Sequence, residues 1–157
     1  MKLIDNCKRA SALCLMVLGL GVFSSQVFGD SRKIIAFPDM DSAEMPPYSA
    51  VVRAGDYIYV SGVLGHVRGK SQLVSGGVSA QAKQSLTYIK EYIERAGGSL
   101  QNTAKCMVLL ADIDDFPAMN EVWRTFFPTH PPARSTLIVK EIPHGAAIEI
   151  DCTAIAN

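Results

Sequence analysis

The sequence lacks any excess of charge of one sign, and this absence excludes one class of partner. Its 157 residues carry 15 Lys and Arg against 15 Asp and Glu, a formal net charge of +0 at pH 7. Nucleic-acid-binding domains neutralise phosphates with clustered Lys and Arg, which leaves a basic stripe in the sequence. Because this chain has no such stripe, we do not expect it to bind nucleic acid.

Signatures of several enzyme and metal-binding classes are also missing. There is no His-x-x-x-His or Cys-x-x-Cys spacing for a metal ion, and no Gly-x-Ser-x-Gly of a serine hydrolase. Gly76-Gly77 precedes a predicted helix, but the lysine and spacing of a phosphate-binding loop are absent, which favours a helix-entry turn. The three histidines all lie beside Gly or Pro in loop-like stretches: His66, His130 and His144. We therefore expect no metal site.

Long apolar runs are scarce, and the longest lies near the start of the chain. Three basic residues precede it: Lys2, Lys8 and Arg9. Ala10 to Phe23 is then apolar apart from Ser11. Such a run spans about 21 Å as a helix, short of a bilayer core of roughly 30 Å. This layout predicts a secretory signal peptide over residues 1–29, cleaved before Asp30, with an uncleaved anchor as the alternative.

Removal of the predicted signal peptide changes the charge and cysteine counts of the remaining domain, residues 30–157. Lys and Arg fall from 15 to 12, and Asp and Glu from 15 to 14, so the net charge becomes 12 − 14 = −2. Two of the four cysteines remain, Cys106 and Cys152, both in strand-like runs. An oxidising compartment would allow them to form a disulfide, but two buried free thiols are the favoured prediction. We expect a periplasmic or secreted protein with no stable membrane span.

Apolar periodicity after residue 30 predicts a single α+β domain. Gly55-Asp56 separates two short β-type runs, which predicts a tight hairpin. A helix with Ser79 as its candidate N-cap follows and stops at Gly97-Gly98. Its apolar stripe recurs at helical spacing: Ala82, Leu86, Ile89, Ile93 and Ala96. The predicted order is strand, strand, helix, strand, helix, strand, strand, and a short strand at Ile34-Ile35 is a further option.

Alternation in the last two predicted strands indicates which side chains share a face of the sheet. Successive side chains of a strand point to opposite faces, so Arg134 and Thr136 share one face, as do Glu149 and Asp151. If the apolar residues of both strands meet the helices, all four polar residues lie on the opposite face. Such a face is either solvated or buried in an assembly, where charges between subunits form a pocket for a polar ligand.

Five phrases of the sequence carry more specific information. They are Pro47-Tyr48; Ala54-Gly55-Asp56-Tyr57-Ile58-Tyr59-Val60-Ser61-Gly62; Gly77 with Ala80-Gln81; Asp114-Asp115-Phe116 with Asn120 and Phe127; and Pro132-Ala133-Arg134-Ser135-Thr136 followed by Ile148-Glu149-Ile150. In this order and spacing they resemble the RidA/YjgF family of reactive intermediate deaminases, over roughly residues 48–156. The resemblance implies a chorismate-mutase-like fold, a single mixed sheet with two helices on one face. It also implies a homotrimer with sites in the clefts between subunits, and neither a metal ion nor a cofactor.

The resemblance further implies an activity and two catalytic residues. Members of the family hydrolyse reactive enamines and imines, such as 2-aminoacrylate, to a 2-oxo acid and ammonia, which makes them hydrolases of C=N bonds. Arg134 would clamp the substrate carboxylate through two parallel charge-assisted hydrogen bonds. Glu149 would position the water or relay a proton to the departing nitrogen. The structural alternative for both is an ion pair, Arg134 with Glu149 or Asp151.

Four further residues complete the predicted substrate-binding site. Tyr48 would wall the pocket, or serve only as an interface aromatic. Gly62 would bring backbone close to the ligand. Asn120 matches a family asparagine near the cleft, although a plain helix-surface role fits it equally. Thr136 stands where many deaminases have cysteine, so it retains a hydrogen-bonding group without the thiol.

Departures from the family pattern leave a second function open. Besides Thr136, the segment Val63-Leu64-Gly65-His66 differs from that of many members, which affects the predicted shape of the pocket. The alternative is a non-catalytic trimeric protein, binding small ligands or acting as a chaperone in the same cleft. Arg134 favours the enzyme, because binding-only relatives often lack this arginine.

Overall fold

A computed structural model describes residues 33–35 and 47–157, which form a mixed sheet of six strands covered by two helices. In chain order the elements are β1 (Lys33–Ile35), β2 (Val51–Ala54), β3 (Tyr57–Leu64), α1 (Gly77–Arg95), β4 (Gly98–Leu110), α2 (Phe116–Phe126), β5 (Ala133–Ile138) and β6 (Ile148–Ala156). The strand order is β1-β2-β3-β6-β4-β5, and only β4 and β5 are parallel. The predicted α+β class and order of elements are confirmed. The predicted signal peptide lies outside the described residues.

The hydrophobic core lies between the sheet and the two helices. The apolar stripe of α1 is fully enclosed, with Leu86, Ile89 and Ile93 each 0% exposed. It packs against the strand residues on the same side of the sheet, among them Val108 and Ile150. We call this side of the sheet the helix face and the other side the open face. No helix in the described part of the chain is long and apolar enough to cross a membrane.

The two ends of α1 are made by glycines rather than by side-chain caps. Gly76 adopts φ 115° before the first turn, and no side chain caps the helix there. The prediction of Ser79 as N-cap is therefore wrong, because the chain already turns into the helix at Gly76 and Ser79 lies inside it. The predicted stop is confirmed, since Gly97 takes φ 87° directly after the helix, a conformation that glycine adopts without a steric penalty.

Cys106 and Cys152 form a disulfide, so the prediction of two free thiols is wrong. The two residues face each other in the antiparallel pair of β4 and β6, with 4.1 Å between their Cα atoms. Both are buried, at 0% and 1% exposure. The sequence places each cysteine in a strand, but only the register between two strands that are 46 residues apart brings the sulfur atoms together.

The orientation of β5 also differs from the prediction. Arg134 is in register with Cys106 and Thr136 with Val108, so both side chains lie on the helix face. Ser135 therefore lies on the open face, where its hydroxyl accepts a hydrogen bond from Lys105 Nζ at 2.7 Å. β5 is an edge strand with apolar residues at both alternate positions, including Leu137 at 45% and Ile138 at 47% exposure. The pattern of polar and apolar residues along β5 therefore could not show which of its side chains face the helices.

Candidate functional site

Arg134 lies at the edge of the sheet, with its guanidinium group against α2. Its Nη2 donates a hydrogen bond to Asn120 Oδ1 at 2.7 Å, and its Nη1 lies 3.5 Å from Met119 Sδ. The guanidinium carbon is 4.8 Å from the ring centroid of Trp123 and 5.8 Å from that of Phe116. The predicted grouping of Arg134 with Asn120 is thus present, whereas the two aromatic rings were not anticipated from the sequence.

Arg134 has no carboxylate partner among the residues that the structure describes. Burial lowers the pKa of its guanidinium below the usual value, and the positive charge of Arg124 lowers it further. Arginine nonetheless stays protonated in proteins, so the side chain presents a half-buried positive charge with unused N–H groups. A group of this kind is suited to bind an anionic ligand, and a planar carboxylate matches its geometry.

Glu149 lies on the open face of the sheet, above Gly62. β3 has an irregularity between Val60 and Val63 in its pairing with β6, and Gly62 lies within it. A Cβ atom at Gly62 would overlap with Glu149 Oε1. The glycine therefore serves to make room for the Glu149 carboxylate, rather than only for the ligand that the sequence suggested. The prediction places Gly62 and Glu149 in one site, and the structure brings these two residues into direct contact.

The surroundings of Glu149 raise the pKa of its carboxyl group. Its pKa is raised, first by partial burial and then by the like charge of Asp151 two residues along β6. Burial also raises the pKa of Asp151, although the nearby Lys105 lowers it in part. Within the described structure Glu149 makes no ion pair. A raised pKa moves the carboxyl group toward the range in which a general acid–base works.

The two remaining predicted residues lie near different strands of the sheet. Thr136 is half-buried on the helix face of β5, two residues beyond Arg134 and on the same side as it. Tyr48 is 62% exposed just before β2, where the carbonyl of its neighbour Ser49 accepts a hydrogen bond from Ser61. Tyr48 thus lies near the Gly62 end of β3 and far from β5 in the strand order.

The predicted site residues therefore form two separate groups within one copy of the chain. We call Arg134, Asn120 and Thr136 the arginine group, and Glu149, Gly62 and Tyr48 the glutamate group. The strands of Arg134 and Glu149 are two apart, roughly 10 Å at the usual spacing, and Glu149 lies three residues further along the sheet. The two side chains also lie on opposite faces. The prediction that they share a face is wrong, and so is the alternative of an ion pair between Arg134 and Glu149 or Asp151 within one chain.

Metal binding has no support in the part of the chain that the structure describes. No group of three or more His, Cys, Asp or Glu side chains there could hold a metal ion. Two of the histidines do approach each other, His66 and His144, with ring centroids 5.1 Å apart in an edge-to-face arrangement. The contact between these two rings joins the loop after β3 to the turn before β6.

Comparison with known proteins identifies relatives over most of the chain. A family described as Endoribonuclease L-PSP matches residues 41–156. The human protein 2-iminobutanoate/2-iminopropanoate deaminase is 43% identical over 124 residues, which is 79% of this chain and 90% of the relative. The protein of the same name from Bos taurus is 42% identical over an equal share of both chains.

Solved structures of similar proteins have the same fold as this chain. RidA from an Antarctic Psychrobacter is 35% identical, with a TM-score of 0.72 over 79% of this chain and 99% of that one. The YjgF protein of E. coli is 32% identical, with a TM-score of 0.71 over 80% and 99% of the two chains. The match over residues 41–156, together with these identities, shows that the chain belongs to the Endoribonuclease L-PSP family, which includes the RidA and YjgF proteins.

Proposed function

We propose that the protein is a deaminase that hydrolyses reactive 2-imino acids and their enamine forms to 2-oxo acids and ammonia. The observation that carries the proposal is the unpaired guanidinium of Arg134, oriented by Asn120 and Trp123 at the edge of the sheet. It provides a binding site for the carboxylate that every 2-imino acid carries. Relatives at 42–43% identity are named 2-iminobutanoate/2-iminopropanoate deaminases, which supports the same chemistry.

In the proposed reaction, Arg134 binds the carboxylate and Glu149 handles the protons. Water adds to the carbon of the protonated C=N bond, and one of its protons passes to the Glu149 carboxylate, which leaves a neutral carbinolamine. Glu149 then returns this proton to the nitrogen and takes up the proton of the hydroxyl group, so that ammonia leaves and the carbon becomes the ketone of a 2-oxo acid. An enamine first takes up a proton at carbon to become the same protonated imine. No step requires a metal ion or a cofactor.

We propose that this site forms between subunits of a homotrimer. Because Arg134 and Glu149 lie on opposite faces of one sheet, one ligand can meet both only if they come from different copies. The open face also carries exposed large apolar side chains, which would favour burial against another copy: Tyr57, Tyr59, Met107, Leu137 and Ile155. In this arrangement Tyr48 and Gly62 would line the side of the cleft near Glu149, and Asn120 and Thr136 the side near Arg134.

The activity is tested by generating 2-imino acids with an amino-acid oxidase while semicarbazide traps them. The protein from Asp30 onward should reduce semicarbazone formation, and Arg134→Ala should lose most of this effect. Arg68→Ala is the matched control, because Arg68 also lies over an aromatic ring, 4.9 Å from Tyr88, but binds Glu91. If the wild-type protein leaves the trace unchanged for several imino acids, the enzyme is ruled out for this class and a ligand-binding protein takes its place.

We also propose that the protein is exported and works in the periplasm or outside the cell. The layout of residues 1–29 motivates this, and the Cys106–Cys152 disulfide supports it, since such bonds persist in oxidising compartments. Fractionation of cells that express the full chain should place it outside the cytoplasm. Cys106 and Cys152 should then resist alkylation after unfolding, because the disulfide leaves neither with a free thiol. A version that begins at Asp30 should remain in the cytoplasm with both thiols free. Finding the full chain reduced and cytoplasmic would contradict the proposal.

A further inference from the structure

The guanidinium group of Arg134 rests on a tryptophan that is itself held firmly in the core. Trp123 is the single tryptophan of the chain and is 6% exposed. Its ring packs against Phe127, with 4.8 Å between the two centroids, and it belongs to the main hydrophobic cluster. The Trp123 ring therefore cannot move independently of the core, and it presents a fixed surface to the Arg134 guanidinium 4.8 Å away.

Among the contacts of the Arg134 guanidinium, Trp123 supplies the nearer aromatic ring and Asn120 the hydrogen bond to an oxygen atom. A cation over the face of an aromatic ring is attracted by the electron density of that face, most strongly for tryptophan. The Trp123 ring thus holds the guanidinium over its surface, while the hydrogen bond to Asn120 Oδ1 limits rotation of the group. Of the five N–H bonds of the guanidinium, only one donates to an oxygen in the described structure. A second N–H bond, on Nη1, donates to Met119 Sδ, and the remaining three are available to a ligand.

We propose that Trp123 is a positioning residue for carboxylate recognition, because its ring holds the Arg134 guanidinium ready to bind a carboxylate with two hydrogen bonds. The expected effect of Trp123 on catalysis rests on the proposed deaminase function. The expected effect of Trp123 on carboxylate binding does not. A carboxylate bound to Arg134 changes the charge next to the only indole of the protein. Trp123 fluorescence should therefore report binding directly.

A purely structural role of Trp123 makes different predictions. A core tryptophan that only fills space would support all ligands equally, whether or not they carry a charge. A tryptophan that positions Arg134 matters only for ligands that Arg134 binds. Propanoate and propanamide form the matched pair of probes, because they have the same size and neither absorbs where tryptophan does. Propanoate should change Trp123 fluorescence saturably in the wild type, propanamide should not, and Arg134→Ala should abolish the response to propanoate.

Substitutions at Trp123 test the positioning directly, with binding of propanoate followed by calorimetry. Trp123→Leu removes the aromatic face and should weaken propanoate binding about tenfold, whereas Trp123→Tyr keeps a ring and should restore most of it. Phe126→Leu is the control, because it removes a ring of the same helix that packs against the same cluster and makes no ring contact with Trp123 or Arg134 in the described structure. Thermal unfolding of each variant identifies any loss that comes from misfolding.

The same variants separate this inference from the deaminase proposal. In the imine assay, Trp123→Leu should raise the KM about tenfold with a smaller effect on kcat, and in an Arg134→Ala background it should change little further. If the folded Trp123→Leu protein binds propanoate as the wild type does, or if the wild type does not bind propanoate, the inference is wrong even when the protein is an active deaminase. Propanoate binding that depends on Trp123 in a protein without deaminase activity would support the inference and reject the enzyme.

Discussion

At the residue scale, the position of Glu149 depends on the absence of a side chain at Gly62. The Glu149 carboxylate occupies the space that a Cβ atom at residue 62 would need. Gly62 lies in the irregular part of β3, where the pairing with β6 shifts between Val60 and Val63. The irregular pairing and the glycine together bring an acidic group close to the strand backbone on the open face.

Gly62→Ala should reduce deaminase activity about a hundredfold while the fold persists, because the new methyl group displaces the Glu149 carboxylate from its place. The carboxylate is the end of a flexible side chain, so it can move away without unfolding the sheet. Steady-state kinetics and circular dichroism of the purified variant measure both effects. In a Glu149→Ala background the same change at residue 62 should cost no further activity. A large additional loss there would mean that Gly62 acts on something other than Glu149.

The charge of Asp151 provides a second test at this scale. Burial and the like charge of Asp151 both raise the pKa of Glu149 above its usual value of 4.5. In the proposed reaction Glu149 accepts a proton first, so kcat/KM should rise with pH as Glu149 ionises. Asp151→Asn removes the like charge, which favours ionised Glu149, and the acid limb of the pH–rate profile should move to lower pH. The limb should disappear in Glu149→Gln, and an unchanged limb in Asp151→Asn would assign the titration to another group.

At the scale of elements, α1 and β6 are joined by a side chain of the helix. Gln81 is 8% exposed, and its Oε1 accepts a hydrogen bond from the backbone N–H of Ala147 at 2.9 Å. This bond fixes the chain one residue before β6 begins at Ile148, and hence the register in which Glu149 follows. The family phrase that includes Ala80-Gln81 thus has a structural function, which the sequence alone did not assign.

Gln81→Met should lower the free energy of unfolding by about 1 kcal/mol, because it leaves the half-buried Ala147 N–H without its acceptor. Urea denaturation followed by circular dichroism measures the change. Gln84→Met is the control, since Gln84 lies on the same helix and makes no side-chain hydrogen bond in the described structure. Equal losses in the two variants would show that the hydrogen bond to Ala147 contributes little.

At the scale of the whole molecule, one copy of the chain holds the arginine group and the glutamate group too far apart for a shared ligand. Arg134 and Glu149 lie on opposite faces of the sheet, and the open face exposes Tyr57 at 51% and Leu137 at 45%. If copies of the chain pack through the open face, this packing explains both the separation of Arg134 from Glu149 and the exposed apolar side chains. The oligomeric state and the active site then depend on the same surface.

Mixing two inactive variants tests whether the site spans two subunits. Arg134→Ala and Glu149→Ala should each be inactive, yet unfolding and refolding them together should restore about a quarter of the wild-type activity. Random assembly of a cyclic trimer brings an intact Arg134 and an intact Glu149 to one cleft in four. Each variant refolded alone is the control. If the mixture stays inactive although light scattering confirms mixed trimers, both residues of a site come from one chain.

The disulfide is the second feature at this scale, because it joins strands that are distant in the sequence. Cys106 and Cys152 are separated by 46 residues, and the bond closes a loop that contains α2 and β5. Replacing both with alanine should lower the free energy of unfolding by about 4 kcal/mol, as expected for a loop of this length. Denaturation of the variant beside the wild type, with and without reductant, measures the loss. A loss below about 1 kcal/mol would show that packing alone holds β4 and β6 together.

Local patterns in the sequence were sufficient to predict the elements and to select Arg134 as the candidate binding residue. The stripe of α1, its end at Gly97 and the hairpin at Gly55-Asp56 follow from short-range periodicity and from the conformations that glycine allows. Arg134 could be selected because the phrase around it is specific to a family. The grouping of Arg134 with Asn120 then holds in the structure, at 2.7 Å.

The order of the elements and the choice of Arg134 and Glu149 as candidate residues could be predicted from the sequence alone, since both depend on residues that are close along the chain. The disulfide, the face on which Arg134 lies and the tryptophan beneath it became visible only in the folded chain. These depend on the register between distant strands and on where α2 rests over an edge strand. Because β5 is apolar at both alternate positions and meets only one neighbouring strand, no local pattern could determine its orientation.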